Sequence, residues 1–403
     1  MIKDMKTRIS KLNIDFESYW EPIYLILLAF FIGMRFLLST MFTIYWPKYF
    51  YRTLTVIGVV LVLLHLMRAK DISKKEIAAM LVVTFVFMMS HYVSGYDFLV
   101  DLLILILGAY RVNFRNILKT YIAVWSVLLV VTIIGAMAGP AENLVFVQGE
   151  GSEGERVRMA LGICYPTDLA AYVVFIMLAY VYLREQYITY LEIVIMFLLT
   201  IAVYYITDAR TDFAIMLLLI IGTIIIKKIE RIIVNNTLIK KFFICYPIIM
   251  CLLVWILTLM YDGENELLVR LNESVISNRL SLGRQAIDNY GFSFFGKYVL
   301  EKGYGGATEP VWPYFFIDSS YISIGIKYGI LMEILVVLYN LKLIKKCLDN
   351  NKTIIYIIIV CLGLQAVMEH HIIQYWYNPF ILIPFVLIGN NRIDKQDDVI
   401  NLN

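Results

Sequence analysis

Charged residues are scarce in this chain of 403 residues, where Asp, Glu, Lys and Arg together make up only 17%. About one quarter of the residues of a soluble globular domain are charged. The core of such a domain could not bury the apolar surface of a chain that is 61% hydrophobic. The formal net charge of +3 is too small to indicate a nucleic-acid partner. These shortages exclude the soluble classes and indicate a protein whose apolar surface faces a lipid bilayer.

Cysteine is also scarce, and no two cysteines form a CxxC pair. All five lie within or beside apolar runs, at Cys164, Cys245, Cys251, Cys347 and Cys361. This pattern excludes a disulfide or zinc framework and indicates small hydrophobic core residues. The polar, basic stretch 1–21 has no small-residue cleavage site, so we predict a cytoplasmic lead-in to a retained helix rather than a signal peptide.

Apolar runs recur along the chain at the length of roughly 20 residues that a helix needs to cross a bilayer. They predict an all-α integral membrane protein that forms a single polytopic domain over residues 1–403. About 12 transmembrane helices are expected, at 21–44, 53–68, 76–93, 97–110, 117–138, 161–183, 187–206, 211–227, 242–261, 319–341, 353–370 and 375–389.

Lysine and arginine are concentrated on alternate connecting segments. With the N-terminus in the cytoplasm, the inner segments carry basic clusters such as Lys74 with Lys75 and Lys227 with Lys228. The outer segments carry few basic residues, apart from one long loop in which acidic residues outnumber them. The positive-inside rule therefore predicts that both termini are cytoplasmic.

Two of the predicted outer segments are long, 139–160 and 262–318, and the second lies between helices nine and ten. This large extracytoplasmic loop contains a helix-like stretch near Ser277–Tyr290, followed by a segment rich in Tyr, Phe and Trp up to residue 316. Long loops in compact proteins are usually functional, which predicts that the aromatic segment handles substrate. An aromatic belt at the membrane interface accounts for some of the same rings.

Charged side chains at the membrane boundary are the main functional candidates, because each costs a few kcal/mol at membrane depth. They gather on the predicted outer side, at Arg156, Arg158, Asp168, Arg210, Arg279, Arg284, Asp318, Glu369, His370 and His371. Guanidinium groups bind phosphate oxygens through two parallel hydrogen bonds and stay charged. The set suits a polyprenyl pyrophosphate with its tail in the bilayer and its sugars outside. Such a donor is already activated and needs no nucleotide.

Several of these side chains have simpler interpretations. Arg279 and Arg284 are about 140° apart on a helix, so they flank a ligand rather than share a face. His370 and His371 are adjacent on a helix, about 100° apart, so at most one of them faces a given site. Asp208 and Asp212 alternatively cap the hairpin 207–212 and pair with Arg210.

The run 149–154 matches the pattern GxGxxG, but we do not interpret it as a nucleotide loop. It is acidic, it follows no predicted strand, and it lies on the outer side of the membrane. The acidic residues Glu150, Glu153 and Glu155 lack the convergent oxygen ligands of a divalent-ion site. We therefore predict neither a cofactor nor a metal.

Two stretches near the predicted outer boundary resemble motifs of the O-antigen and capsular polysaccharide polymerases, the Wzy family, which is related to the O-antigen ligases. The run 158–168 resembles the family's Arg-x-x-Leu-Gly…His-Pro-Asn motif, with Tyr165 and Asp168 replacing His and Asn. The turn 207–211 resembles its Ser-Arg-Thr turn, with Ala209 replacing Ser.

The resemblance continues through the large outer loop. The stretch 281–284 is similar to the family's Ser-Gly-Arg motif and contributes Arg284. The stretch 318–329 resembles Asp-Asn-x-Tyr…Tyr-Gly, and 378–380 resembles the family's Asn-Pro/Phe ending. Each motif is short, so the order and spacing of the set around the long loop carry the resemblance.

The resemblance implies a metal-independent glycosyltransferase with a GT-C-like architecture in the bacterial cytoplasmic (inner) membrane, with an extracytoplasmic active site. This enzyme transfers a growing glycan from undecaprenyl pyrophosphate to the terminal sugar of an incoming lipid-linked repeat unit. Donor and acceptor are then both undecaprenyl-pyrophosphate-linked oligosaccharides. A flippase and a chain-length regulator are the further partners that the resemblance implies, and no nucleic acid is involved.

The same resemblance gives roles to the arginines. Arg210 and Arg284 are expected to contact the donor pyrophosphate, with Arg158 and Arg279 as secondary contacts. Their task is to stabilise the charge that develops on the leaving pyrophosphate.

The acceptor hydroxyl needs a general base, and three residues are candidates for it, Glu369, His370 and Asp318. Asp168 and Tyr321 are expected to bind substrate. The sequence leaves the choice of base open.

Two other functions remain open. A ligase uses the same donor but transfers the glycan to another acceptor, such as a lipid core or a cell-wall polymer. A flippase or transporter of lipid-linked sugars predicts an internal repeat, short loops and charges at the membrane centre. The long outer loops and the absence of a visible repeat favour the polymerase.

Overall fold

The computed structural model describes residues 16–43, 48–69, 72–148, 156–349 and 353–383. Within these ranges the chain is a bundle of helices with one two-stranded sheet. The helices are α1 Phe16–Leu38, α2 Lys48–Arg68, α3 Lys74–Ser94, α4 Phe98–Gly108, α5 Phe114–Ala138, α6 Pro166–Arg184, α7 Tyr190–Thr207, α8 Arg210–Asn235, α9 Thr237–Met260, α10 Glu266–Arg270, α11 Arg279–Tyr290, α12 Ser320–Ser323, α13 Ile330–Asp349 and α14 Ile354–Met368. The N-terminal lead-in predicted over 1–21 lies outside the described residues as far as residue 15.

Seven of the described helices are long and apolar enough to cross a membrane, namely α1, α2, α3, α5, α6, α7 and α9. The shorter helices α4 and α14 are also apolar. On α7 the side chains of Leu191, Ile195 and Leu198 are exposed, as expected of a face that contacts lipid. The chain is therefore an α-helical membrane protein, as its composition predicts.

Local sequence fixes where several helices begin and end. Ser73 and Glu76 form a capping box at the start of α3, and Thr189 and Glu192 form another at the start of α7. Asp208 ends α7 in the left-handed conformation, with a φ of 46°. Because α8 begins two residues later, the turn between the helices holds its polar side chains at one end of the bundle.

The centre of the bundle is α6, in which 72% of the most apolar window is buried, against at most 39% in the other candidate spans. It packs against α5, α7, α8 and α14. Buried alanines such as Ala170, Ala171 and Ala179 let these neighbours approach closely. Helix α6 begins at Pro166 rather than at the predicted residue 161. The ends of its neighbours lie around its first turn.

The first long outer segment contains a hairpin that the sequence analysis does not predict. Its strands are β1 (Val145–Gln148) and β2 (Arg156–Met159), which pair antiparallel with Gln148 opposite Arg156. The GxGxxG-like run 149–154, with Glu150, Glu153 and Glu155 in and beside it, lies outside the described residues. It follows a strand, contrary to the prediction, but a second antiparallel strand comes after it. That order is not the strand–loop–helix of a dinucleotide site.

The second long outer segment contains α10, a π-helical turn at Leu271–Val275, and α11. Helix α11 confirms the helix predicted near Ser277–Tyr290. The chain then runs without regular structure to α12, which continues as a π-helical turn to Tyr328. Helix α13 begins only at Ile330, so the single helix predicted over 319–341 is broken at Gly329.

Gly329 explains that break. Its φ is 99°, and a Cβ atom there would lie 2.4 Å from the backbone oxygen of Phe294. The part of the aromatic segment around Phe294 is therefore pressed against the break, and only glycine permits this contact.

The end of the chain also differs from the prediction. Helix α14 stops at Met368, because Glu369 adopts an extended backbone with φ −130° and ψ 149°. Within the described part of the helix predicted over 375–389, the chain forms only a 3-10 turn at Pro379–Leu382. Residues 384–389 lie outside the described ranges.

Candidate functional site

A cavity of about 970 Å³ opens at the end of the bundle where α6 and α8 begin and α14 ends. Strand β2, the start of α11 and the chain between 301 and 318 complete its wall. Seven of the nine predicted site residues line this cavity, Arg158, Asp168, Arg210, Arg279, Asp318, Glu369 and His370. The structure thus joins side chains from five separate segments of the sequence.

The other two predicted site residues, Arg284 and Tyr321, do not line the cavity. Arg284 lies on the far side of α11, where it bonds to the Asp288 carboxylate at 3.1 Å and to the Leu259 carbonyl at 2.8 Å. The Tyr321 hydroxyl is buried and donates to the Gly363 carbonyl at 3.4 Å. Arg279 and Arg284 were expected to flank a ligand, but their separation of about 140° on α11 leaves only Arg279 at the cavity.

Three arginines approach the cavity from β2 and the α7–α8 turn. Arg158 is 7% exposed, donates to the Thr207 carbonyl at 2.9 Å and lies over the Tyr165 ring. Arg156 pairs with Asp208, for which the sequence predicts a pair with Arg210. Arg210 is exposed, and no residue in the described part of the chain gives it a hydrogen bond or an ion pair.

Arg279 is held from three sides. Its Nη2 lies 3.5 Å from Oδ2 of Asp318. Its Nε donates to the Met368 carbonyl at 3.2 Å, and its Nη1 donates to the Ser277 carbonyl at 2.8 Å. This side chain therefore fastens the start of α11 to the end of α14.

Carboxylates form the opposite wall. Glu369 is 5% exposed, and burial, followed by repulsion from Asp212 and Asp318, raises its pKa well above its usual value. Burial also raises the pKa of Asp318, although Arg279 opposes this effect. Asp212, predicted as a hairpin cap, is instead fully buried and accepts from Nε2 of Gln365 on α14. The wall thus gathers acidic side chains opposite the arginines, and burial disfavours the charged forms of Glu369 and Asp318.

Both histidines belong to this wall, which corrects the prediction that only one faces the site. Helix α14 ends before them, so the helical separation of about 100° does not apply. Their rings lie 4.4 Å apart. Burial lowers the pKa of His371 to about 4. Burial, together with repulsion from His371, also lowers the pKa of His370. Both imidazoles are therefore neutral near pH 7.

Sequence reasoning missed a buried ion pair beside the cavity. Lys327 Nζ lies 2.5 Å from Oε2 of Glu301, and the Lys327 side chain is 5% exposed. Glu301 lines the cavity and also accepts from the Ile317 amide at 3.0 Å. The sequence does contain a signal for this pair, because Lys327 is a single charged residue inside an otherwise apolar run.

Aromatic side chains line the cavity next to the arginines. Tyr304 lies between Tyr165 and Tyr314, with ring centroids 5.1 Å and 6.1 Å away. Trp312 is 79% exposed and also lines the cavity. Rings of the same loop segment such as Phe294 do not line it. The predicted aromatic segment therefore divides into rings at the cavity and rings elsewhere.

Fold and site together define an α-helical membrane protein with a mixed-charge, aromatic-edged cavity at one end of its bundle. Its arginines can bind an anion, its carboxylates can accept a proton, and its rings can pack against sugar faces. No protein-family model matches the chain, and the searches of curated proteins and of solved structures give no match. The resemblance to the polysaccharide polymerases therefore depends on the sequence motifs.

Proposed function

We propose that this chain polymerises undecaprenyl-pyrophosphate-linked oligosaccharide repeat units into a bacterial surface polysaccharide, such as a capsule, an exopolysaccharide or an O-antigen. The observation that carries the proposal is the convergence of arginines and carboxylates on one large cavity. Arg158 and Arg210 come from two of the stretches that resemble the family's motifs, and both line that cavity. The proposal includes a GT-C-like bundle of 12 spans with cytoplasmic termini.

The distribution of basic residues supports an extracytoplasmic cavity. Helices α6 and α8 begin at the cavity, and α6 ends at Arg184 on the other side of the bundle. The helix ends on that other side carry basic residues, among them Arg68, Lys74, Lys75, Lys240 and Lys241. Because basic residues favour the cytoplasmic side, the cavity is proposed to face outward, in the cytoplasmic membrane of a bacterium.

The donor pyrophosphate is proposed to bind between Arg210 and Arg158. Arg158 is already held by the Thr207 carbonyl, so it is oriented before substrate binds. Arg210 has no partner in the described residues and is available to a phosphate. Arg279 is the next contributor. Arg284 is not part of the proposed donor site, because it lies outside the cavity.

Glu369 is the proposed general base. Burial raises the pKa of Asp318 as well, but the direct pairing with Arg279 opposes that rise and occupies the Asp318 carboxylate. The pKa of Glu369 is raised by burial and by nearby carboxylates, which makes its carboxylate a stronger base. In the proposed step the acceptor hydroxyl loses its proton to Glu369 and attacks the anomeric carbon, and the sugar–pyrophosphate bond breaks. No metal ion takes part in this step.

Complementation of a polymerase-deleted host tests the proposal. Wild type should restore a ladder of lipid-linked or surface glycan, whereas Arg210→Ala and Glu369→Gln should leave mainly single repeat units. The matched control is Arg270→Ala, since Arg270 is an exposed outer-loop arginine away from the cavity. Transfer of one glycan to another acceptor, with no ladder, would show a ligase instead. Repeat units that stay inside the cell without this protein would show a flippase.

A further inference from the structure

The ring of His371, just beyond α14, has a nitrogen that faces two carboxylates without a hydrogen bond. His371 is 1% exposed, and its Nε2 has no hydrogen-bond partner in the described part of the chain. This atom lies 3.7 Å from Oδ1 of Asp168 and 3.7 Å from Oε2 of Glu369. Both distances are too long for hydrogen bonds. Neither carboxylate therefore satisfies this nitrogen with a direct hydrogen bond.

The other ring nitrogen decides which atom of His371 carries the proton. Its Nδ1 lies 3.2 Å from Oε1 of Gln374, an oxygen that can only accept. Nδ1 therefore carries the hydrogen, and Nε2 presents a lone pair to Asp168 and Glu369. A hydrogen bond from the remote ring nitrogen is also what orients histidines that bind metals.

Three neighbouring residues offer ligand atoms together. Glu369, His370 and His371 each provide one, and these atoms all lie within 4.8 Å of one another. Nδ1 of His370 is also buried without a hydrogen-bond partner among the described residues. Two ligand atoms bound about 2.1 Å from a tetrahedral ion are about 3.4 Å apart. The observed 3.7 Å separations from His371 are close to that spacing.

The cations near this cluster in the described part of the chain are already engaged by other carboxylates. Arg279 and Lys327 are the cationic side chains whose charge acts on His370. Arg279 is engaged by Asp318, and Lys327 is engaged by Glu301. A buried lone pair facing two ionised carboxylates is unfavourable unless a carboxyl group is protonated or a cation lies between them, and only a cation can contact all of these ligand atoms at once.

We propose that Glu369, His370 and His371, with Asp168 as a further ligand, bind a divalent first-row transition-metal ion. Imidazole nitrogens combined with carboxylate oxygens favour Zn²⁺ or a similar ion over Mg²⁺ or Ca²⁺. The ion would join the start of α6 to the end of α14, and the cavity provides its path of entry. The site departs from the metal-free site expected from the sequence, and an ion bound there would make Glu369 a ligand, so Glu369 acts as the proposed base only while the site holds no ion. The proposed metal site does not depend on the proposed glycan transfer, and the ion takes no part in any step of that transfer.

Metal titration of the purified full chain tests the site. The protein is prepared in detergent with a histidine-free tag, stripped with a chelator, and titrated with Co²⁺ and Zn²⁺. Wild type should bind one ion per chain, with visible Co²⁺ absorption that Zn²⁺ abolishes, and the ion should raise its Tm. His371→Ala should weaken binding by about tenfold or more and remove the Tm increase.

The matched control is His91→Ala, because the chain has only four histidines and His91 lies on α3, away from the cavity. This variant should bind the ion as wild type does. The proposal is overturned if wild type binds no ion, or if His371→Ala binds as tightly as wild type. If His371→Ala does not fold, Glu369→Gln takes its place and is expected to weaken binding of the ion in the same way. Glycan polymerisation is not measured, so the outcome does not depend on the proposed function.

Discussion

Arg158 and Arg210 reach the same cavity but are held in opposite ways. Arg158 is buried and bound to the Thr207 carbonyl, so it supports the turn between α7 and α8 as well as the cavity. Arg210 is exposed and makes no hydrogen bond or ion pair with the described residues. A change at Arg210 is therefore expected to reduce the proposed transfer with little effect on folding, whereas a change at Arg158 is expected to affect both.

Substituting lysine for Arg210 tests whether its planar, two-pronged geometry matters. Arg210→Lys keeps the charge but loses bidentate binding to a phosphate, so it should make clearly less polymer than wild type. Arg210→Ala should reduce the rate by about 10²–10³-fold, the usual effect of losing one such donor. The measurement is glycan length and yield at matched membrane levels of each variant. A fully active Arg210→Lys protein would contradict bidentate binding.

Single residues also show where sequence reasoning stops. The types and boundary positions of Arg158, Asp168 and Glu369 were readable, because charge is rare in such a chain. The sequence did not show which side chains lie next to one another, because these contacts join distant segments. Asp212, for example, accepts a hydrogen bond from Gln365, which is 153 residues further along the chain. The exclusion of Arg284 from the cavity likewise depends on how α11 is rotated against α9, and no local pattern encodes that rotation.

At the scale of elements, hydrophobic length predicted the helices well. The helix predicted over 76–93 is α3 at Lys74–Ser94, and that predicted over 117–138 is α5 at Phe114–Ala138. The bilayer sets that length, so a local signal suffices. The break at Gly329 was missed because its cause is the distant backbone of Phe294. The β1–β2 hairpin was missed because the long outer loop was treated only as a connection.

The break before α13 gives a stability prediction with an internal control. Gly329→Ala places a Cβ atom against the Phe294 backbone oxygen, in addition to the cost of its positive φ. Gly95 has a φ of 76°, but no other atom lies within 4 Å of the place that a Cβ atom would occupy there. Gly95→Ala should therefore cost only about 1 kcal/mol, and Gly329→Ala distinctly more. The Tm values of both purified variants measure the difference, and equal values would contradict the account of the break.

At the scale of the whole molecule, the cavity and the basic helix ends lie on opposite sides of the bundle. Ser274, in the π-helical turn before α11, is exposed on the cavity side. Lys74, at the start of α3, is exposed on the basic side. The two positions therefore report the orientation of the protein in its membrane.

Cysteine labelling in intact cells tests this orientation. In a background without the five native cysteines, Ser274→Cys should react with a membrane-impermeant maleimide from outside. Lys74→Cys should react only after the membrane is permeabilised, because the positive-inside rule places it in the cytoplasm. The reverse pattern would place the cavity in the cytoplasm and remove the basis for a donor bound from outside.

Transfer by the purified protein tests the central claim most directly. The protein is reconstituted in liposomes with undecaprenyl-pyrophosphate-linked repeat units taken from a polymerase-deleted host, and the products are separated by size. The account predicts a ladder of longer lipid-linked glycans with release of undecaprenyl pyrophosphate, lost with Arg210→Ala and kept with Arg270→Ala. Folded wild-type protein that leaves the repeat units unchanged would contradict it, as would an Arg210→Ala protein that produces the same ladder.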